Sequence, residues 1–99
     1  MALVSKDRVA TRKGEVTIKG IRLVTYRKLR GLSQAGLAAK ATLALADAGD
    51  PKGSVSESLV ALIETNRRQP SLRNAEALAL ALDVPLEALA DIHAEAVAS

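Results

Sequence analysis

The stretch Val55-Ser56-Glu57-Ser58-Leu59-Val60-Ala61-Leu62-Ile63-Glu64-Thr65-Asn66-Arg67-Arg68-Gln69-Pro70-Ser71 decides how the rest of the chain is read. Val55, Leu59, Val60 and Ile63 recur at helical spacing, and Ser54 or Ser56 stands where a helix N-cap belongs. Thr65-Asn66 marks its end, because asparagine tolerates the left-handed backbone better than any residue but glycine. Pro70-Ser71 opens a further helix on which Leu72, Ala75, Leu78, Ala79 and Leu82 follow helical spacing. Upstream, Leu32-Ser33-Gln34-Ala35-Gly36-Leu37-Ala38 makes a second such start, with Ser33 as cap and Leu37 and Ala38 as core contacts.

Towards the N-terminus, Ile21 to Arg30 reads as a first helix that Gly31 ends, with Ile21, Val24 and Leu29 inward and Arg22, Lys28 and Arg30 wet. The helix opened by Ser33 continues through Ala41-Thr42-Leu43-Ala44-Leu45-Ala46 to about Ala48. Gly49-Asp50-Pro51-Lys52-Gly53 then breaks it as a turn. Asp83-Val84-Pro85 ends the helix of Leu72 to Leu82, and Leu86, Leu89, Ile92 and Val97 mark a fifth. Residues 1–20 stand apart from the helical core in this reading. Gly14, Gly20 and the alternation of Val16 with Ile18 fit a short hairpin around Arg12-Lys13-Gly14-Glu15 or an extended arm that orders on binding.

Ninety-nine residues make one small domain. Hydrophobic residues are 48% of the chain but aromatic ones 1%, so the core is aliphatic and alanine-rich, which suits packed helices over sheets. The expected fold class is all-α: a five-helix domain over 21–99 with an inserted loop near 42–53, preceded by a basic arm over 1–20. No cysteine and a single histidine leave no thiolate site, and neither a metal nor any other cofactor is expected. Apolar runs are interrupted by Asp47, Asp50, Glu64, Glu76 and Asp83, too often for a membrane span, and the N-terminus lacks a signal-peptide core. A cytoplasmic protein is expected.

The net charge of +3 conceals a polarity. Residues 1–40 hold ten Lys and Arg against Asp7 and Glu15, whereas residues 69–99 hold Arg73 against five acids. One end is suited to phosphate and the other to solvent or to another protein. A solvated basic face is the plainer reading of the same numbers.

The two phrases together resemble the phage-repressor-like helix-turn-helix family, the Cro/C1 type or Xre family, over about Arg27 to Leu89. The matching positions are Arg27, Leu32, Ser33, Gln34, Leu37 and Ala38; then Val55, Ser56, Ser58, Val60, Ile63 and Glu64; then Arg68, Pro70 and Ser71; and last Leu82, Val84, Leu86 and Leu89. The resemblance implies an operator-binding transcriptional regulator with double-stranded DNA as partner, nucleoid-associated when bound; an enzyme is not expected, since the sequence offers no nucleophile-base set, no phosphate-cradling Gly-rich loop and no metal cluster. Such proteins bind as homodimers, because one helix reads too few base pairs, and the segment from Pro85 is the expected dimer surface unless its leucines cap the core.

The wet side of the Ser56–Glu64 helix suits the major groove, roughly 12 Å wide. The resemblance implies that Ser56, Glu57, Ser58 and Leu62 face base edges, while Gln34, Asn66, Arg67 and Arg68 grip the backbone; the inserted loop, which departs from the family pattern, offers Lys52 as a further phosphate contact. Each has a plainer reading: Gln34 as a helix former, Arg67 and Arg68 as solvated turn residues, Arg27 as a partner for Glu64, Tyr26 as core edge and His93 as surface. The family's turn between the two helices is short, and the surplus here is roughly twelve residues. Glu57 can accept from cytosine and Leu59 or Leu62 can touch a thymine methyl, but neither makes the bidentate contacts that discriminate best. Lys6, Arg8, Arg12, Lys13 and Lys19 of the arm are expected to supplement them from a neighbouring groove. The apolar and acidic reading face also motivates an alternative, a protein-binding module of antitoxin-like or anti-repressor kind on the same scaffold.

Overall fold

Three of the five helices in residues 16–92, the part of the chain described by the computed structural model, begin on a serine whose hydroxyl accepts from the main chain of the first turn. Ser33 accepts from Gly36 N at 2.9 Å, Ser56 from Leu59 N at 3.0 Å and Ser71 from Asn74 N at 3.2 Å. In order the elements are β1 (Val16–Ile18), α1 (Gly20–Leu29), α2 (Gln34–Asp47), α3 (Glu57–Glu64), α4 (Leu72–Leu82), α5 (Leu86–Leu89) and β2 (Ala90–Ile92). The ends are equally local. Gly31, Gly49, Asn66 and Asp83 each take positive φ just beyond α1, α2, α3 and α4. Each is followed by a residue whose N–H returns to the last turn, as Leu32 N to Arg27 O and Arg67 N to Leu62 O, which satisfies carbonyls that would otherwise lack donors.

Helix α2 packs most extensively on α4, and their buried faces, Ala38, Ala41 and Leu45 against Ala75, Leu78 and Leu82, alternate small and large residues so that ridges seat in grooves. Val60 and Ile63 of α3 and Leu23 of α1 are fully buried in the same core. Helix α2 is long, and the segment from Ala48 to Ser56 returns the chain to the start of α3. Thr42 fastens that return: its Oγ1 donates towards Ala38 O at 2.9 Å and Val55 O at 3.2 Å, and accepts from Val55 N at 3.0 Å. Val55 is buried as a result.

Three expectations are corrected. On α1, Ile21 and Leu29 are 71% and 68% exposed while Leu23 is wholly buried. The helix is rotated so that Gly20, Leu23 and Arg27 face inward, because Gly20 comes against the main chain at the end of α3. The fifth helix is one turn long, and the chain goes extended at Ala90 (φ −136°, ψ 152°) to pair antiparallel with β1, Val16 opposite Ile92 and Ile18 opposite Ala90. Ile18, expected to stand outside the helical core, is buried in it.

So short a pair is marginal alone and is reinforced on its other edge. The Gln69 side-chain amide stands in for a third strand, accepting from Ile18 N at 2.7 Å and donating to Ile18 O at 3.0 Å. The hairpin expected around Arg12 to Glu15, and the arm residues Lys6, Arg8, Arg12 and Lys13, lie outside the described residues, as does His93. No helix among the described residues is long and apolar enough to cross a membrane.

Candidate nucleic-acid interface

The end of α3 is the most heavily fastened part of the surface. The Glu64 carboxylate, its side chain 5% exposed, receives Arg27 Nε at 2.5 Å and Arg27 Nη2 at 3.1 Å, and Gln34 Nε2 at 2.9 Å. Arg27 also donates from Nη1 to Leu32 O at 2.9 Å, so one guanidinium joins α1, the turn before α2, and α3. The fork geometry suits arginine, whose rigid planar donors match a carboxylate. The hydrogen bond to Glu64 raises the Arg27 pKa above its ordinary value against the opposing effect of burial, so the group stays charged.

This network settles how the start of α2 lies against the end of α3. Gln34 opens α2, and its amide nitrogen is engaged with Glu64, while the neighbouring Ser33 hydroxyl is occupied as a cap. Asn66, just past α3, turns its Oδ1 to Gly20 N at 3.0 Å and thereby caps the first turn of α1. Arg67 and Arg68 follow on the same turn, exposed and without a side-chain partner among the described residues. Gln34, Asn66, Arg67 and Arg68 are thus brought together at one end of α3. Lys52 is exposed in the loop that leads to the opposite end.

Along α3, Ser56, Glu57 and Ser58 are exposed, whereas Leu62 is only partly so and Leu59 packs against the core. The exposed face is small and polar, one wall of it carrying a negative charge. Lys19, the described member of the basic arm, is bound to Asp91 Oδ2 through Nζ at 3.3 Å. Arg30 is likewise committed, its Nε donating to Leu82 O at 2.7 Å at the end of α4, where a cation complements the helix dipole. Among the described residues no cluster of three or more His, Cys, Asp or Glu side chains is placed to hold a metal.

Sequence reasoning missed two residues that build this site, and it did not foresee that the Asn66 side chain caps α1. Gly20 permits α1 to approach the last turn of α3, and Gln69 holds β1 through Ile18. Only Gly20 left a trace, as a glycine directly before an apolar helix.

A helix-turn-helix family profile matches residues 23–89. Among solved structures the chain is similar to the restriction-modification controller protein C.AhdI from Aeromonas hydrophila, at 30% sequence identity and a TM-score of 0.55, over 83% of this chain and 96% of that one. No curated protein sequence matches it. With two serine-capped helices locked through Arg27, Gln34 and Glu64, and with the profile spanning most of the chain, the protein belongs to the Cro/C1-type, or Xre, helix-turn-helix family of DNA-binding transcriptional regulators.

Proposed function

We propose that this protein is a sequence-specific regulator that occupies operator DNA as a homodimer, with α3 seated in the major groove. The observation that carries the reading is the rigid joint of α2 and α3 through Glu64, which presents Ser56, Glu57 and Ser58 beside the exposed pair Arg67 and Arg68. Phosphate contacts fix position and base contacts specify. Arg67, Arg68, Lys52 and the N-terminus of α2 take the first role, Ser56, Glu57, Ser58 and Leu62 the second. The similarity to a restriction-modification controller protein supports a regulatory role over genes. The protein-binding alternative called for exposed leucines on α3; Leu59 and Leu62 are partly covered, and the exposed leucines of the helical pair α2 and α4 stand elsewhere.

Titration of labelled genomic fragments against salt tests this. Arg67→Ala and Arg68→Ala are expected to weaken binding to all fragments alike and to reduce the salt slope by about one each, while Ser58→Ala and Glu57→Gln change which fragments are retained. Absence of any retained fragment at low salt overturns the reading.

A further inference from the structure

Leu43 on α2 and Leu80 on α4 are 64% and 65% exposed, and they flank one open groove of about 460 Å³ lined by Lys40, Leu43, Ala44, Asp47, Leu80 and Ala81. A second apolar hollow, with Val84 and Leu86 in its wall, continues from Leu80. The two leucines are therefore not scattered singly but share one apolar trough, the kind of continuity that distinguishes a contact surface. The segment from Pro85 is not an independent candidate, since Leu89 is wholly buried and Leu86 packs against the core.

The charges beside the groove identify its occupant. Lys40, Leu43, Ala44 and Asp47 follow one another at spacings of three, one and three, which places all four on a single face of α2. Lys40 and Asp47 are exposed and neither makes an ion pair with any described residue. Their midpoint falls between Leu43 and Ala44. A two-fold axis through that point, with two α2 helices antiparallel, sets Lys40 against the partner's Asp47 at both ends, about 5 Å along the helix from the axis. It also sets the large Leu43 against the small Ala44 of the other copy. The pattern is complementary to itself, as an isologous interface must be. The other exposed apolar pair, Ile21 and Leu29 on α1, lies beside Arg22 and Lys28, charges of one sign that a two-fold pairing would oppose.

We infer that a second copy of this chain docks on the α2–α4 face, with the two α2 helices antiparallel and Lys40 facing Asp47 across the interface. This rests on the homodimer of the proposed function and assigns its surface.

Sedimentation equilibrium of the full chain without DNA tests it. Wild type is expected to be dimeric, and Leu43→Glu monomeric with an unchanged helical circular dichroism spectrum. Lys40→Glu and Asp47→Lys each raise the dissociation constant roughly tenfold or more by opposing like charges. Mixing these two variants, or combining both changes in one chain, restores the wild-type value, because every opposed pair regains opposite sign. A monomeric wild type, whether the groove is covered by residues 93–99 or by an unrelated protein, overturns the assignment; so does a dimer indifferent to Leu43→Glu, or a double variant as weak as its parents. Binding of the monomeric Leu43→Glu chain to a single half-site duplex reports on DNA reading separately. If charge rescue succeeds and neither half-site nor full fragments bind, the regulator reading falls while this surface stands.

Discussion

A Cβ on Gly20 falls 2.8 Å from the Ile63 carbonyl oxygen and from the Glu64 carbonyl carbon, main-chain atoms that cannot rotate away. Gly20→Ala is therefore expected to destabilise the domain by about 2 kcal/mol, in the range of an overpacked core, although alanine is the better helix former. Urea unfolding checks it, and a midpoint equal to or above wild type refutes the close approach. Arg27→Ala leaves the Glu64 carboxylate buried with Gln34 as its remaining side-chain donor, and a loss of about 3 kcal/mol is expected by the same measurement. The two residues differ in legibility. Arg27 and Glu64 occupy matching positions of a family pattern and are paired in the structure. The need for glycine at position 20 comes from the main chain of a helix far along the sequence, and no local pattern records it.

Helix boundaries were readable because capping is a transaction within four residues. Ser33, Ser56 and Ser71 at the starts, and Gly31, Asn66 and Asp83 at the ends, do in the structure what their side chains or backbone freedom predict. The orientation of α1 was not readable, since Ile21, Leu23, Val24 and Leu29 offer two competing apolar faces and packing on α3 chooses between them. Strand β2 was hidden for a related reason. Ala90-Asp91-Ile92 has little strand propensity of its own and becomes extended through its pairing with β1. The surplus residues between α2 and α3 resolve into a long helix and a returning loop hung on one hydroxyl. Thr42→Val keeps the shape but removes the acceptor for Val55 N, leaving a part-buried donor unpaired at about 1–2 kcal/mol. Thermal unfolding should show the loss, and an unchanged melting temperature would mean that the loop is held by packing alone.

Across the whole molecule, the polarity of the sequence is partly spent internally. Lys19 and Arg22 from the basic half close on Asp91 from the acidic half, each at 3.3 Å. Arg73 pairs with Asp50 in the inserted loop at 3.2 Å. The hydrogen bond from Lys19, aided by the nearby charge of Arg22, holds the Asp91 carboxyl below the 3.8 ordinary for aspartate. A depressed folded pKa means that the stabilisation is complete above the ordinary value and is lost as pH falls through the lower one. Carboxyl titration followed by NMR should therefore place the Asp91 midpoint below that of an unstructured aspartate, and Asp91→Asn should flatten this part of the acid limb of stability. A midpoint at or above the ordinary value refutes the ion pairs. The exposed cations without an ion pair are then fewer than composition implies, with Arg67, Arg68 and Lys52 among the described residues near α3.

The β1–β2 clip also bears on how the chain is made. A ribosome synthesises α1 through α4 before the residues that fasten their N-terminal edge. Until Leu89 to Ile92 have cleared the exit tunnel, β1 has no strand to lie against and Lys19 N–H lacks the Leu89 carbonyl that accepts from it. Nascent chains meet such non-local pairings last. Helices α2 and α3 can therefore assemble before β1 is fastened.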